Sequence, residues 1–303
     1  MSPPGPFFAL DVDGRRSVLD RIADAGLDGV VYADHVSFRG GAGTDGLAFM
    51  AAVSQLHPTL GLHLGVYLLP LRHPVPVARQ IATIAELAPG RLRFGVGIGG
   101  EDRHEIEACG VDPRTRGRRC DEALTVLRPL LCGERVTFAG EFFDLADVRI
   151  LPAPDPAVPI VVGGRSDAAV RRAGRFGDGW LGAWCSSRRF ADAVAHCAEV
   201  AEASGRGRVD WQHGMQLWVG IDADRSRARA HVQAGMEAFY RLPFDVFERY
   251  TPYGTPAEVA EFFVPFLDAG LRRLDITPCA ASDGAAIEGA AEVKLLLDAH
   301  LAR

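Results

Sequence analysis

Pro159-Ile160-Val161-Val162-Gly163-Gly164-Arg165-Ser166 is the stretch whose reading decides the fold. A short β-branched run reads as a buried strand, and Gly163-Gly164 lets the backbone turn and approach another group closely. Ser166 and Asp167 are good N-cap residues for a helix over 167–176, which leads into Gly177-Asp178-Gly179-Trp180. Strand, glycine turn and helix start bring unsatisfied N–H groups to one place, which suits a phosphate or other anion. Alone the motif is equally a plain turn, so its flanks must decide.

Outward from it, strand and helix patterns alternate. Candidate strands cover 7–12, 28–33, 60–69, 92–96, 159–163, 180–184, 211–221 and 272–277. Helical patterns cover 15–25, 44–56, 76–87, 114–131, 188–204, 225–240, 256–269 and 290–301. Strands separated by helices favour an α/β fold of the (β/α)8 TIM-barrel type over an open doubly wound sheet. The expectation is one barrel domain over 1–303. Residues 136–151 read as a β-hairpin insertion and 241–255 as an irregular, aromatic-rich one.

Composition narrows the function. The 303 residues are 48% hydrophobic and 24% charged, with net charge −6, which argues against a nucleic-acid partner. Lys294 is the only lysine and falls in the last helix, so Schiff-base chemistry is discounted. Six cysteines contain no Cys-x-x-Cys pair, neither a zinc pattern nor a disulfide framework. No histidine pair has metal spacing on a helix, so no catalytic metal is expected. Without a leader-like segment or an apolar run of membrane-spanning length, a cytoplasmic protein with no membrane partner is expected.

In a barrel the chemistry gathers where strands end and βα loops begin. The second strand delivers Asp34-His35 there, a carboxylate for a ligand hydrogen bond beside an imidazole for proton transfer. Asp34 could equally cap the next helix. Gly65 inside the apolar third strand suggests a bulge or close contact with something flat. Arg72 and His73 fit either a solvated loop or an anion contact. Gly95-Val96-Gly97-Ile98-Gly99-Gly100-Glu101 does not meet the dinucleotide fingerprint. Its alternating glycines would clear side chains from the interior for a broad planar ring. Glu101 is an acid/base candidate, although Asp102, Glu105 and Glu107 beside it also read as a solvated acidic loop.

In order and spacing these pieces resemble the bacterial luciferase-like monooxygenase superfamily, which contains FMN-dependent monooxygenases and deazaflavin (coenzyme F420) oxidoreductases. The resemblance runs through Asp34-His35-Val36, Leu68-Leu69-Pro70-Leu71-Arg72-His73-Pro74, Gly90-Arg91-Leu92, Gly95 to Gly99, Arg119-Cys120-Asp121-Glu122, Val162 to Ser166 and Gly177 to Trp180. It implies a luciferase-like barrel with insertions, usually dimeric, with a non-proline cis peptide at Gly65-Val66 backing the flavin ring. Gly163, Gly164 and Ser166 would hold the cofactor phosphate, with Arg165 in the same cofactor-binding run. Gly97 and Gly99 would lie along the ring and ribityl chain. Asp34 matches a cofactor-contacting position and His35 a proton donor. Glu101 is displaced by one from the acid of some relatives, where Gly100 stands here.

Asp34-His35 looks more like the deazaflavin branch, so the expected activity is hydride transfer to or from a small organic substrate with bound F420. The alternatives are an FMN-dependent monooxygenase supplied with reduced flavin by a partner reductase, and a non-catalytic flavin-binding protein. A phosphate-handling barrel aldolase or isomerase would use Gly163-Gly164 equally well but gives no reason for the glycine run at the fourth strand. The lysines that hold sugar phosphate in one deazaflavin subgroup have no counterpart, so a sugar-phosphate substrate is not expected.

Overall fold

The first expected strand does not form. Asp11 instead takes an N-cap position, its carboxylate accepting from the Gly14 N–H, and Phe7–Ala9 make a short 3-10 turn ahead of it. Local satisfaction of a helix terminus outweighs the β propensity of a few apolar residues.

The computed structural model describes residues 1–100 and 102–302; Glu101, an expected acid/base residue, lies outside the described residues. The first half runs α1 (Val12–Asp24), β1 (Gly29–Tyr32), β2 (His35–Phe38), β3 (Ala42–Thr44), α2 (Gly46–Leu56), β4 (Gly61–Leu64), β5 (Tyr67–Leu68), α3 (Pro74–Leu87), β6 (Leu92–Gly97), α4 (Arg103–Ala108) and α5 (Arg116–Leu131). The second runs β7 (Val136–Ala139), β8 (Asp144–Val148), β9 (Ile160–Gly163), α6 (Asp167–Phe176), β10 (Gly179–Gly182), α7 (Ser187–Ala203), β11 (Gly214–Ile221), α8 (Arg225–Tyr240), β12 (Tyr253–Gly254), α9 (Pro256–Asp268), β13 (Arg273–Cys279) and α10 (Asp283–Leu301). The other expected strands all form, as β1, β4, β6, β9, β10, β11 and β13. Among the described residues no helix is long and apolar enough to cross a membrane.

Two compact units make up the chain, residues 32–181 with 197–211, and residues 1–31 with 182–196 and 212–303. In the first, β4, β6, β9 and β10 lie side by side and parallel, with Leu62 opposite Leu92, Phe94 opposite Ile160, and Val162 opposite Trp180. Every residue of β6, β9 and β10 is buried, as expected of parallel strands covered on both faces. Helix α3 buries Val77, Ala78, Ile81, Ala82 and Ala85 at helical spacing, and α5 does the same with Ala123, Leu124, Leu127 and Leu130. β7 and β8 pair antiparallel. Their turn is fixed by Glu122 of α5, which accepts from the Glu141 and Phe142 N–H groups at 2.8 and 2.9 Å.

In the second unit, β11 lies between β12 and β13 and is parallel to both, with Gly214 opposite Arg273 and Gly220 opposite Cys279. Thr255 and Glu258 form a reciprocal capping box that starts α9. Residues 241–255 include two short 3-10 turns, Phe244–Val246 and Glu248–Tyr250, and Phe244 and Phe247 pack on Val232 and Met236 of α8 together with Trp184, Trp218 and Tyr240.

His213 is 2% exposed in this unit, and its carbonyl accepts from the Arg272 and Arg273 N–H groups. Burial first, and the Arg272 charge second, push its imidazole from 6.5 down to about 4. As pH falls from 6.5 toward 4, the unfolded chain takes up a proton at this residue while the folded chain does not, so stability falls. That difference is worth about 3 kcal/mol. His213→Gln should therefore lose about that much less stability than the parent across this interval, measured as urea midpoints at both ends. Identical pH dependence in the two proteins would remove His213 as the cause.

Candidate functional site

Beyond β4 the chain bends through Gly65-Val66, whose peptide bond is cis, where the resemblance placed it. Gly65 donates its N–H to the Tyr32 carbonyl at 3.0 Å, and Val66 accepts from the Asp34 N–H at 3.2 Å. Glycines on the neighbouring strands admit this bend. A Cβ at Gly95 would overlap the Leu64 carbonyl oxygen, one at Gly97 would meet Val66 Cγ2, and one at Gly163 would lie 2.7 Å from Val66 Cγ1. The space left by these glycines is therefore filled by Leu64 and Val66. This corrects the expectation that the alternating glycines directly vacate room for a ring: Gly97 and Gly163 seat Val66. Gly99 lies farther along the same loop with a φ of 67°, left-handed backbone that favours glycine.

Asp34 sits at the end of β1 with no side-chain exposure. One carboxylate oxygen accepts from Gly46 N–H at 2.9 Å and from Arg72 Nη2 at 2.9 Å. The other accepts from Leu68 N–H at 3.0 Å and from Arg72 Nη1. Burial raises the Asp34 carboxyl above its ordinary range, against the pull of Arg72 and the two backbone donors. The Arg72 guanidinium also lies 4.4 Å over the Tyr67 ring and donates to the Leu68 carbonyl. Asp34 was expected to touch the cofactor, but both of its oxygens are turned inward, and its contribution is to hold the bend. Arg72 serves the same interior. His73 caps α3, accepting from the Val75 N–H, and meets Phe143 edge-on at 5.3 Å.

His35 opens the hairpin β2–β3, with 15% of its side chain exposed. Its Nδ1 lies 3.1 and 3.2 Å from the two carboxylate oxygens of Glu105, and its ring stacks on Phe38 at 4.2 Å. Glu105 is only 2% exposed and also accepts from the Val36 and Ser37 N–H groups at 2.7 and 3.2 Å. Asp102, the N-cap of α4, accepts from the Arg39 N–H at 2.6 Å. The acidic loop expected to be solvated is thus a helix that grips the histidine hairpin. Asp102-Arg103-His104-Glu105 has the spacing of a helix start, the signal that could have revealed it.

After β9, Gly164 turns the chain at a φ of 132°, and residues 164–168 are exposed at the start of α6. Ser166 caps this helix, accepting from the Ala169 N–H, while the Trp180 indole donates to the Gly164 carbonyl at 2.7 Å. A ten-residue helix that opens outward from a buried strand presents first-turn N–H groups and the positive end of its dipole to solvent.

Residues 13–272 match the luciferase-like monooxygenase family, most of the chain. The chain belongs to that family. Uncharacterized Mycobacterium tuberculosis proteins are 35% identical over 156 residues, 52% of this chain and 54% of theirs. The match thus spans about half the length of these curated relatives. An F420-dependent glucose-6-phosphate dehydrogenase of Rhodococcus hoagii is 29% identical over 82% of each chain. Among solved structures, an F420-dependent secondary alcohol dehydrogenase in complex with an F420–acetone adduct superposes with a TM-score of 0.82, at 21% identity, over 95% of this chain and 96% of that one. The fold of this luciferase-like chain is therefore the expected α/β barrel.

For a luciferase-like cofactor the residues present make a consistent seat. An exposed, glycine-led helix start suits a phosphate. A valine fixed from behind by two glycines offers a rigid apolar surface to a ring. Sequence reading missed Glu105 and the inward role of Arg72, because both act through residues remote in the chain. Arg72→Ala should cost about 3–5 kcal/mol, since it strips the cation from a fully buried carboxylate. Urea unfolding tests this, and a loss under about 1 kcal/mol, the range of a surface pair, would show that Asp34 does not depend on the ion pair.

Proposed function

We propose that this chain is an oxidoreductase that binds the deazaflavin F420 and exchanges hydride with a small organic substrate. The observation that carries the reading is His35, fixed by a buried carboxylate one residue beyond Asp34, whose N–H holds the cis-linked Val66. The names of its relatives support the cofactor class.

Gly163, Gly164, Arg165 and Ser166 would receive the cofactor phosphate at the start of α6. Gly65 and Val66 would back the ring, with Gly97 seating Val66 from behind, and Gly99 would let the chain pass close beside the cofactor. Bound deazaflavin supplies two-electron hydride chemistry, whereas reduced FMN also reacts with oxygen. His35 would take or deliver the accompanying proton at its ring. The family's oxygenase members favour one other reading, FMN-dependent monooxygenation.

Separate anaerobic fluorescence titrations with F420 and FMN decide between them. F420 should bind at least about tenfold more tightly, a difference of about 1.4 kcal/mol. FMN binding with no F420 binding would overturn the assignment. On any substrate the parent turns over, His35→Ala should keep its cofactor dissociation constant within about threefold and lose kcat by about 100-fold or more. Full turnover in that variant would remove His35 from proton transfer.

A further inference from the structure

Glu105 has three nitrogen neighbours at hydrogen-bond distance, the backbone N–H groups of Val36 and Ser37 and Nδ1 of His35. A carboxylate can only accept, so the imidazole atom facing it must carry the hydrogen. We infer that Glu105 is a positioning residue that holds His35 as the Nδ1–H tautomer and makes Nε2 the ring atom that takes up a proton. This rests on the reading of His35 as the proton-handling residue and adds what sets its direction of transfer.

The geometry favours this over a merely structural role. Two backbone donors, Val36 at 2.7 Å and Ser37 at 3.2 Å, fix the carboxylate against the hairpin, so its orientation is set independently of the ring. The ring is held in turn on its Phe38 face. The geometry pairs the carboxylate with Nδ1 rather than Nε2. When Nε2 takes up a proton, the imidazolium lies against an anion with 3% side-chain exposure, where a charge-assisted bond is shorter and stronger than a neutral one.

Glu105→Gln separates charge and tautomer from scaffolding. Its carboxamide keeps one acceptor for the Val36 and Ser37 N–H groups and turns an NH2 donor toward Nδ1. With an amide nitrogen at the nearer position, 3.1 Å from Nδ1, the ring is expected to carry its hydrogen on Nε2. Two-bond proton–nitrogen spectra of cofactor-free protein with 15N-labelled histidine read this directly, with His35→Gln identifying the signal. The parent should show Nδ1 protonated and Nε2 bare, and Glu105→Gln should show the reverse. Amide exchange at Val36 and Ser37 should stay within about threefold of the parent in Glu105→Gln and accelerate at least about tenfold in Glu105→Ala, which removes their acceptor. An Nε2–H parent, or a Glu105→Gln protein that keeps Nδ1–H, would overturn the inference. Because no cofactor is present, failure of F420 to bind leaves this result standing.

Discussion

A carboxylate removed from water must find donors for both oxygens, and those that Asp34 finds belong to separate segments. Gly46 opens α2, Leu68 ends the bend after β4, and Arg72 precedes α3. Satisfying one buried charge therefore fixes where three stretches stand relative to the end of β1. Arg72 suits this better than lysine would, since its planar fork meets both oxygens while its face rests on Tyr67. His35 inherits its place from this arrangement as the next residue in the chain.

The bend held by Asp34 also imposes a steric demand. The Val66 side chain faces β6 and β9, where a Cβ at Gly97 or Gly163 would overlap it. Gly95 and Gly97 read in sequence as glycines clearing the interior and Gly163 as part of a turn, and all three are buried in strands. Gly95 admits the Leu64 carbonyl, and Gly97 and Gly163 admit the Val66 side chain.

This explains what sequence could and could not disclose. Alternating strand and helix patterns, the Gly163-Gly164-Arg165-Ser166 turn and the helix caps are set by neighbours in the chain, so their periodicity is readable. The stretch at 7–12 misled because its apolar residues suit a strand while Asp11 is an equally good cap, and the cap prevailed. Arg72 read as either a solvated loop residue or an anion contact because its partner Asp34 lies 38 residues away. Glu105 looked solvated because its burial depends on a hairpin 68 to 70 residues earlier. Long-range polar pairing leaves no periodic trace.

The same contrast accounts for the departure at Gly100. The resemblance implied an acid at this position, but Gly100 adopts a φ of 133° and faces the Arg116 guanidinium, 3.0 Å from where a Cβ would stand. An L-residue would be strained at that point. The loop therefore cannot present a side chain from this position in its present course. A carboxylate still reaches the site, from α4, one helical turn beyond the Asp102 cap. It approaches His35 from the hairpin side, held by the hairpin's own amides, so its effect passes through the imidazole.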